Sequence, residues 1–266
     1  MQKFQRAILT HGGSASDPQN SDGPQSAAKI GMALMENGQS ALSAVVRAVR
    51  YLEDDPRFNA GLGSQLRADG CTIQQDASCM TSNGQFGAVA GIEGILNPVD
   101  LAQGVLLFSP HILLVGDGAM FFAKEQKIPV MLLNGPDGKK PCAASCDTVG
   151  SVAFDGTTFA AALSSGGLEK TAIGRVGDVP LPGCGLFCGP SGAVACTGDG
   201  EFIALKLLAR EVYGWLERKM SADKAAQKAM TLFDSSVDVG LIILTRDEFE
   251  STARNGMAWS SLTEMK

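Results

Sequence analysis

The chain has 266 residues and 45% hydrophobic content, enough to bury a large core as one domain or two small ones. A formal net charge of −6 argues against a nucleic-acid binder, which needs a clustered basic face. No run reaches the ~18 apolar residues of a membrane span, and Met1–Thr10 is too short and polar for a signal peptide. Seven cysteines (71, 79, 142, 146, 184, 188 and 196), an odd count without an export signal, fit reduced thiols and a cytoplasmic location. The Cys142/Cys146 and Cys184/Cys188 pairs have no histidine nearby, which disfavours a metal role.

In chain order, Ala7-Ile8-Leu9 reads as a buried first strand entering a glycine turn at Thr10-His11-Gly12-Gly13. Residues 27–36 read as a helix stopped by Asn37-Gly38. Ser40 is a good N-cap for a second helix, whose Leu42, Val45, Val46, Val49 and Leu52 form one buried face before Glu53-Asp54-Asp55-Pro56 ends it. A glycine loop, Phe58 to Ser64, precedes short strands near 71–74 and 87–92. Asn97-Pro98 opens a helix near 99–107, and 112–115 is a short apolar run ended by Gly116-Asp117-Gly118 before another short helix. Residues 124–147 have linker composition, with Asn134-Gly135-Pro136 and Gly138-Lys139-Lys140-Pro141 and no apolar period. Beyond the linker, 149–154 and 159–163 read as a hairpin turned by Asp155-Gly156. A strand at 193–196, a helix over 202–216, a helix capped by Ser221 and a closing strand at 239–244 complete the pattern. Interleaved helices and hairpins predict an α/β (α+β) chain with helices outside antiparallel or mixed sheets.

Common catalytic motifs are missing: there is no Gly-x-Ser-x-Gly turn, no phosphate loop and no His-Glu-x-x-His helix. The two histidines, His11 and His111, have apolar or glycine neighbours rather than a charged cluster. Thr148 opens a strand directly after the linker. A threonine whose preceding peptide bond is cut carries its own base, an α-amine of ordinary pKa about 7.7–8.0. Ser164-Ser165-Gly166-Gly167 ends the strand that pairs back, so Ser165 is expected near Thr148. In Gly174-Arg175-Val176-Gly177-Asp178, the guanidinium and carboxylate form either a surface ion pair or a clamp for a zwitterion. Thr197-Gly198-Asp199-Gly200-Glu201 links a strand to a helix, where a hydroxyl and a glycine N–H either cap the helix or serve as oxyanion donors. Singly, each segment reads as ordinary structure.

In order along the chain, the segments resemble the threonine-nucleophile asparaginase family, N-terminal-nucleophile (Ntn) hydrolases that include isoaspartyl peptidase/L-asparaginase, the plant-type asparaginases, aspartylglucosaminidase and the threonine aspartases. The landmarks are His11-Gly12-Gly13, Leu52 to Gly61, Asp76-Ala77-Ser78, Asn97-Pro98, Asp147-Thr148-Val149-Gly150, Gly174 to Asp178 and Thr197 to Glu201. The resemblance implies one domain over 1–266, a four-layer αββα sandwich, cleaved before Thr148 into an α chain (1–147) and a β chain (148–266), with a homodimer of such αβ units. It makes the Asp147–Thr148 bond the autocleavage site and Thr148 the nucleophile, oriented by Ser165. Arg175 and Asp178 would hold the aspartyl backbone of the substrate, and Thr197 and Gly198 would form the oxyanion hole.

No cofactor is implied for catalysis. A structural sodium ion is implied, held by the backbone carbonyls of Leu52, Glu53, Asp55, Phe58, Ala60 and Leu62. The implied substrates are small molecules, asparagine and β-aspartyl dipeptides, with no nucleic acid or membrane partner. The stretch Leu163-Ser164-Ser165-Gly166-Gly167 also resembles the threonine aspartases, which lack an acid at the position of Asp178. An internal peptide has no α-ammonium to pair, so Asp178 favours asparagine or isoaspartyl substrates. An aspartase-type endoprotease and an uncleaved, non-catalytic relative that binds aspartyl ligands are the alternatives.

Overall fold

The structure is a computed structural model and describes residues 3–128 and 148–266. Two sheets stack face to face between two layers of helices, the αββα arrangement. The larger sheet holds seven strands in the order β11-β1-β5-β6-β2-β3-β4. These are β1 (Phe4–Ser14), β2 (Gln75–Thr81), β3 (Phe86–Ile92), β4 (Leu113–Val115), β5 (Val149–Phe154), β6 (Phe159–Ser165) and β11 (Met257–Met265). All neighbours are antiparallel except β3 and β4. The smaller sheet runs β10-β9-β8-β7, with β7 (Leu186–Gly189), β8 (Gly192–Gly198), β9 (Val239–Leu244) and β10 (Phe249–Ala253).

Alternation along the strands explains the layers, because successive side chains leave a strand on opposite faces. Ala7 and Leu9 of β1, Val152 and Phe154 of β5, Ala193 and Ala195 of β8, and Ile242 and Leu244 of β9 fill the core between the sheets. Ile8, Val149 and Ala153 point the other way, onto α1 (Asp22–Glu36) and α2 (Ala41–Glu53). Val194, Cys196, Leu241 and Ile243 point outward onto α6 (Leu208–Glu217) and α7 (Ala222–Met230). A fourth cluster packs α3 (Pro98–Phe108) and α4 (Gly116–Glu125) on β2 and β3.

The expected hairpin is observed. Asp155 turns β5 into β6, its carboxylate accepting from the backbone N–H groups of Thr157 and Thr158. Ser40 caps α2 as expected, its Oγ accepting from the Ser43 N–H at 3.2 Å. Other expectations need correction. Thr10 to Gly13 is strand, not turn; β1 runs on to Ser14 because Gly12 lets the Phe58 ring lie where a Cβ would sit, 2.3 Å from the nearest ring carbon. The strand expected near 71–74 is instead a turn, in which Asp69 accepts from the N–H groups of Cys71 and Thr72, and β2 starts at Gln75.

The single helix expected over 202–216 is two. α5 (Gly200–Lys206) ends at Leu207, which adopts φ 49°. The break aims the first N–H groups of α6 at the Cys184 and Gly183 carbonyls, which take Ala209 and Arg210 at 3.1 and 2.9 Å. β9 is not the closing strand: β10 and β11 follow, and β11 pairs with β1. The linker expected from residue 124 starts later, since α4 runs through Glu125. Its residues 129–147, with Asp147, Cys142 and Cys146, lie outside the described residues. The five described cysteines are free thiols. No helix among the described residues is long and apolar enough to cross a membrane.

Candidate active site

Strand parity brings three of the expected site residues to one place. Thr148, Ser165 and Thr197 share parity with Val152, Leu163 and Ala195, all of which face the space between the sheets. β5 pairs β6 with Val149 opposite Ser164, and one further step puts Thr148 opposite Ser165. On the far side Ser165 is opposite Asp76 of β2. From the smaller sheet the Thr197 hydroxyl donates to the Thr148 carbonyl across a long 3.4 Å and accepts the Ser14 N–H at 3.0 Å. Ser165 Oγ accepts the Gly167 N–H at 3.0 Å, which leaves its own proton to direct elsewhere. Thr148 is 2% exposed and so lies largely out of bulk water.

His11 lies on the same inner face. Its ring packs on Gly150, where a Cβ would meet Nε2 at 2.3 Å, and sits beside the Thr148 backbone. Burial lowers its pKa to about 3, against a smaller opposing effect of the Thr148 backbone, so the ring is neutral at physiological pH. A neutral histidine at the carbonyl side of Thr148 shapes the floor of the site.

Gly198 has φ 131° and a backbone packed on the Asp238 carbonyl, 2.2 Å from where a Cβ would be. Asp238 accepts from Ser14 Oγ at 2.7 Å, and its N–H donates to Asp199 at 2.8 Å. The turn after Thr197 is therefore tied to the end of β1.

Arg175 and Asp178 converge beside Gly200. A Cβ there would lie 2.8 Å from Asp178 Oδ1 and 2.9 Å from Arg175 Nη2. Asp178 is 3% exposed, and Arg175 is largely covered. Arg175 forms an ion pair with Glu201 of α5: Nε and Nη2 donate to its two oxygens at 2.8 and 2.7 Å. The guanidinium holds Glu201 below the usual carboxylate range.

The loop carrying this pair is pinned by residues without an assigned role in the sequence reading. Asp76 accepts the Gly177 and Gly91 N–H groups at 3.3 and 2.8 Å, and burial pushes its pKa up. Buried Arg67 donates to the carbonyls of Gln74 and Arg175 and to Thr171 Oγ1. Asn59 donates to the Gly167 carbonyl at 2.7 Å and accepts the Gly166 N–H on its own carbonyl. Asn59 and Asp76 fell within the landmark segments; nothing in the pattern around Arg67 marks it.

The loop after α2 has the chemistry the resemblance asks of it. Gly61, at φ 52°, would bring a Cβ within 2.3 Å of the Glu53 carbonyl oxygen, and Gly63 one within 1.9 Å of that of Phe58. Only glycine tolerates a backbone packed so closely on these carbonyl oxygens. The carbonyls of Asp55, Phe58 and Ala60 each accept one backbone N–H, which leaves a lone pair apiece. An all-oxygen, carbonyl set suits a hard cation, so these residues fit a sodium ion. The Glu53 side chain turns away and is buried. Its Oε1 accepts the Val99 N–H at 2.9 Å, and the carboxyl faces Ser164. Burial raises its pKa to about 8.

The family model described as Asparaginase matches residues 5–135 and 132–260. The chain is 36% identical to the isoaspartyl peptidase/L-asparaginase of Rattus norvegicus over 97% of this chain and 86% of that protein. Its counterpart in Xenopus laevis is 35% identical, over 97% and 92%. The plant-type L-asparaginase of Pyrococcus horikoshii is 34% identical, over 85% and 84%. The chain belongs to the asparaginase family.

Proposed function

We propose that the protein is an isoaspartyl peptidase/L-asparaginase, an Ntn hydrolase that releases aspartate from asparagine and β-aspartyl dipeptides. The observation that carries the reading is Thr148 on the floor between the sheets, opposite Ser165 and bridged to Thr197. In the precursor, Thr148 Oγ1 attacks the Asp147 carbonyl carbon. The C–N bond breaks as the ester forms, the hydroxyl proton passing to the leaving nitrogen to free the Thr148 amine, and water then hydrolyses the ester to the Asp147 carboxylate and the Thr148 hydroxyl.

The freed amine takes the hydroxyl proton as Oγ1 attacks the substrate side-chain carbonyl. Ser165 orients the nucleophile. Thr197 Oγ1, turning its proton from the long contact with the Thr148 carbonyl, and the Gly198 backbone N–H stabilise the tetrahedral oxyanion. The amine leaves with the proton, and water releases aspartate from the ester on Thr148. Arg175 takes the α-carboxylate and Asp178 the α-ammonium, which favours substrates with a free α-amine over internal peptide bonds. A sodium ion on the carbonyls of Leu52, Glu53, Asp55, Phe58, Ala60 and Leu62 would hold the loop behind Asn59 and take no part in a bond-making step. The reading carries with it a cytoplasmic dimer of αβ units.

The test is aspartate release from asparagine and from β-aspartyl-leucine. Thr148→Ala should lower both by at least about a thousandfold. Full activity in that variant would overturn the reading.

A further inference from the structure

Glu201 stands in the landmark segment with no role attached, and its contact with Arg175 gives it one. A guanidinium offers carboxylates two parallel forks, one from Nε and Nη2 and one from Nη1 and Nη2. Glu201 occupies the first, with both oxygens at 2.8 and 2.7 Å. Nη1 donates no hydrogen bond among the described residues, and Nη2 borders the space beside Gly200 that Asp178 Oδ1 also borders. The second fork is thereby left for a ligand, its Nη2 end beside the carboxylate that takes an α-ammonium and its Nη1 end against Gly177.

Arg175 is also surrounded. Asp76 and Asp178 attract it and Arg67 repels it. Without Glu201, the side chain could swing toward either carboxylate and close the clamp on itself. The Glu201 side chain is 56% exposed, against 13% for Arg175. The acid thus approaches from the solvent side and leaves the inward side to the ligand.

We propose that Glu201 is a positioning residue: it locks the Arg175 guanidinium side-on so that its remaining fork receives the substrate α-carboxylate. The inference rests on the assignment of Arg175 and Asp178 as the substrate clamp and deepens it. Glu201 touches no reacting atom and acts through Arg175 alone.

A double-mutant cycle on the full chain tests this, with binding of L-aspartate measured by calorimetry and KM and kcat for asparagine measured alongside. Glu201→Gln should weaken aspartate binding about tenfold and raise KM similarly, with kcat little changed. Glu201→Asp, which keeps the charge, should recover part of the loss. Adding Glu201→Gln to Arg175→Lys should cost nothing beyond Arg175→Lys alone, because the residue to be positioned is already lost. Unchanged or tighter binding in Glu201→Gln, or additive effects in the double variant, would overturn the proposal. Intact-mass detection of the Thr148 terminus in each variant separates a maturation defect from a clamp defect. Wild-type protein that binds aspartate yet frees none from asparagine would sink the hydrolase reading and leave Glu201 still testable by binding. Wild-type protein that binds no aspartate would overturn both.

Discussion

Thr197 holds two jobs with one hydroxyl. It accepts the Ser14 N–H and donates to the Thr148 carbonyl. Thr197→Val keeps the shape and removes both, so kcat should fall about 10²–10³-fold, with KM changing far less. Steady-state kinetics on asparagine check this, and an unchanged kcat would remove Thr197 from the oxyanion hole. His11 makes a pH prediction. Its pKa is about 3 in the folded chain, against an ordinary 6.5 once unfolded. Between those values the unfolded state binds more protons, so stability drops as pH falls through this window, by up to about 1.4 kcal/mol per pH unit. Urea unfolding at pH 7 and pH 5 should show wild type losing about 1–2 kcal/mol more than His11→Gln over that interval. Equal losses would contradict a buried neutral histidine.

Elements carried some sequence rules faithfully and broke others for tertiary reasons. β5, β6 and β9 were legible because they are continuous apolar runs bounded by turn residues. β10 and β11 were not, since their partly exposed faces alternate weakly and Trp259 or Phe249 alone sets no period. Nothing local announces the break at Leu207, because the carbonyls of Gly183 and Cys184 that reward it are distant in sequence. Left-handed backbone at a leucine is strained, by about 1–2 kcal/mol. Leu207→Gly should therefore raise the unfolding free energy by about 0.5–1 kcal/mol in urea titration, and destabilisation would mean the strain is relieved elsewhere. The carbonyl loop was legible as a landmark, though its fit to a cation rests on Gly61 and Gly63. Thermal unfolding in sodium chloride should show a higher Tm than in tetramethylammonium chloride at equal ionic strength. Identical values would argue that no cation binds there.

At the scale of the molecule, cleavage before Thr148 would leave two fragments that cannot drift apart. β5 and β11 of the second fragment flank β1 of the first, and β6 pairs with β2. Separating the fragments would tear a seven-stranded sheet along three seams, so they should co-elute in native chromatography and part only in denaturant. The positions of Thr148, Ser165, Arg175, Asp178 and Thr197 could be foreseen from ordered segments. The supports could not, because Arg67, Asp238 and Glu201 act through contacts the linear pattern does not display. The inter-sheet floor explains why Thr148 sits buried at the start of a strand, with Ser165 and Thr197 beside it. Intact-mass analysis of mature protein alongside its Thr148→Ala variant tests that explanation most directly. It predicts two fragments with a new terminus at Thr148, one whole chain in the variant, and asparagine hydrolysis only by the cut form. A wild-type chain that hydrolyses asparagine at full rate without that new terminus would contradict it.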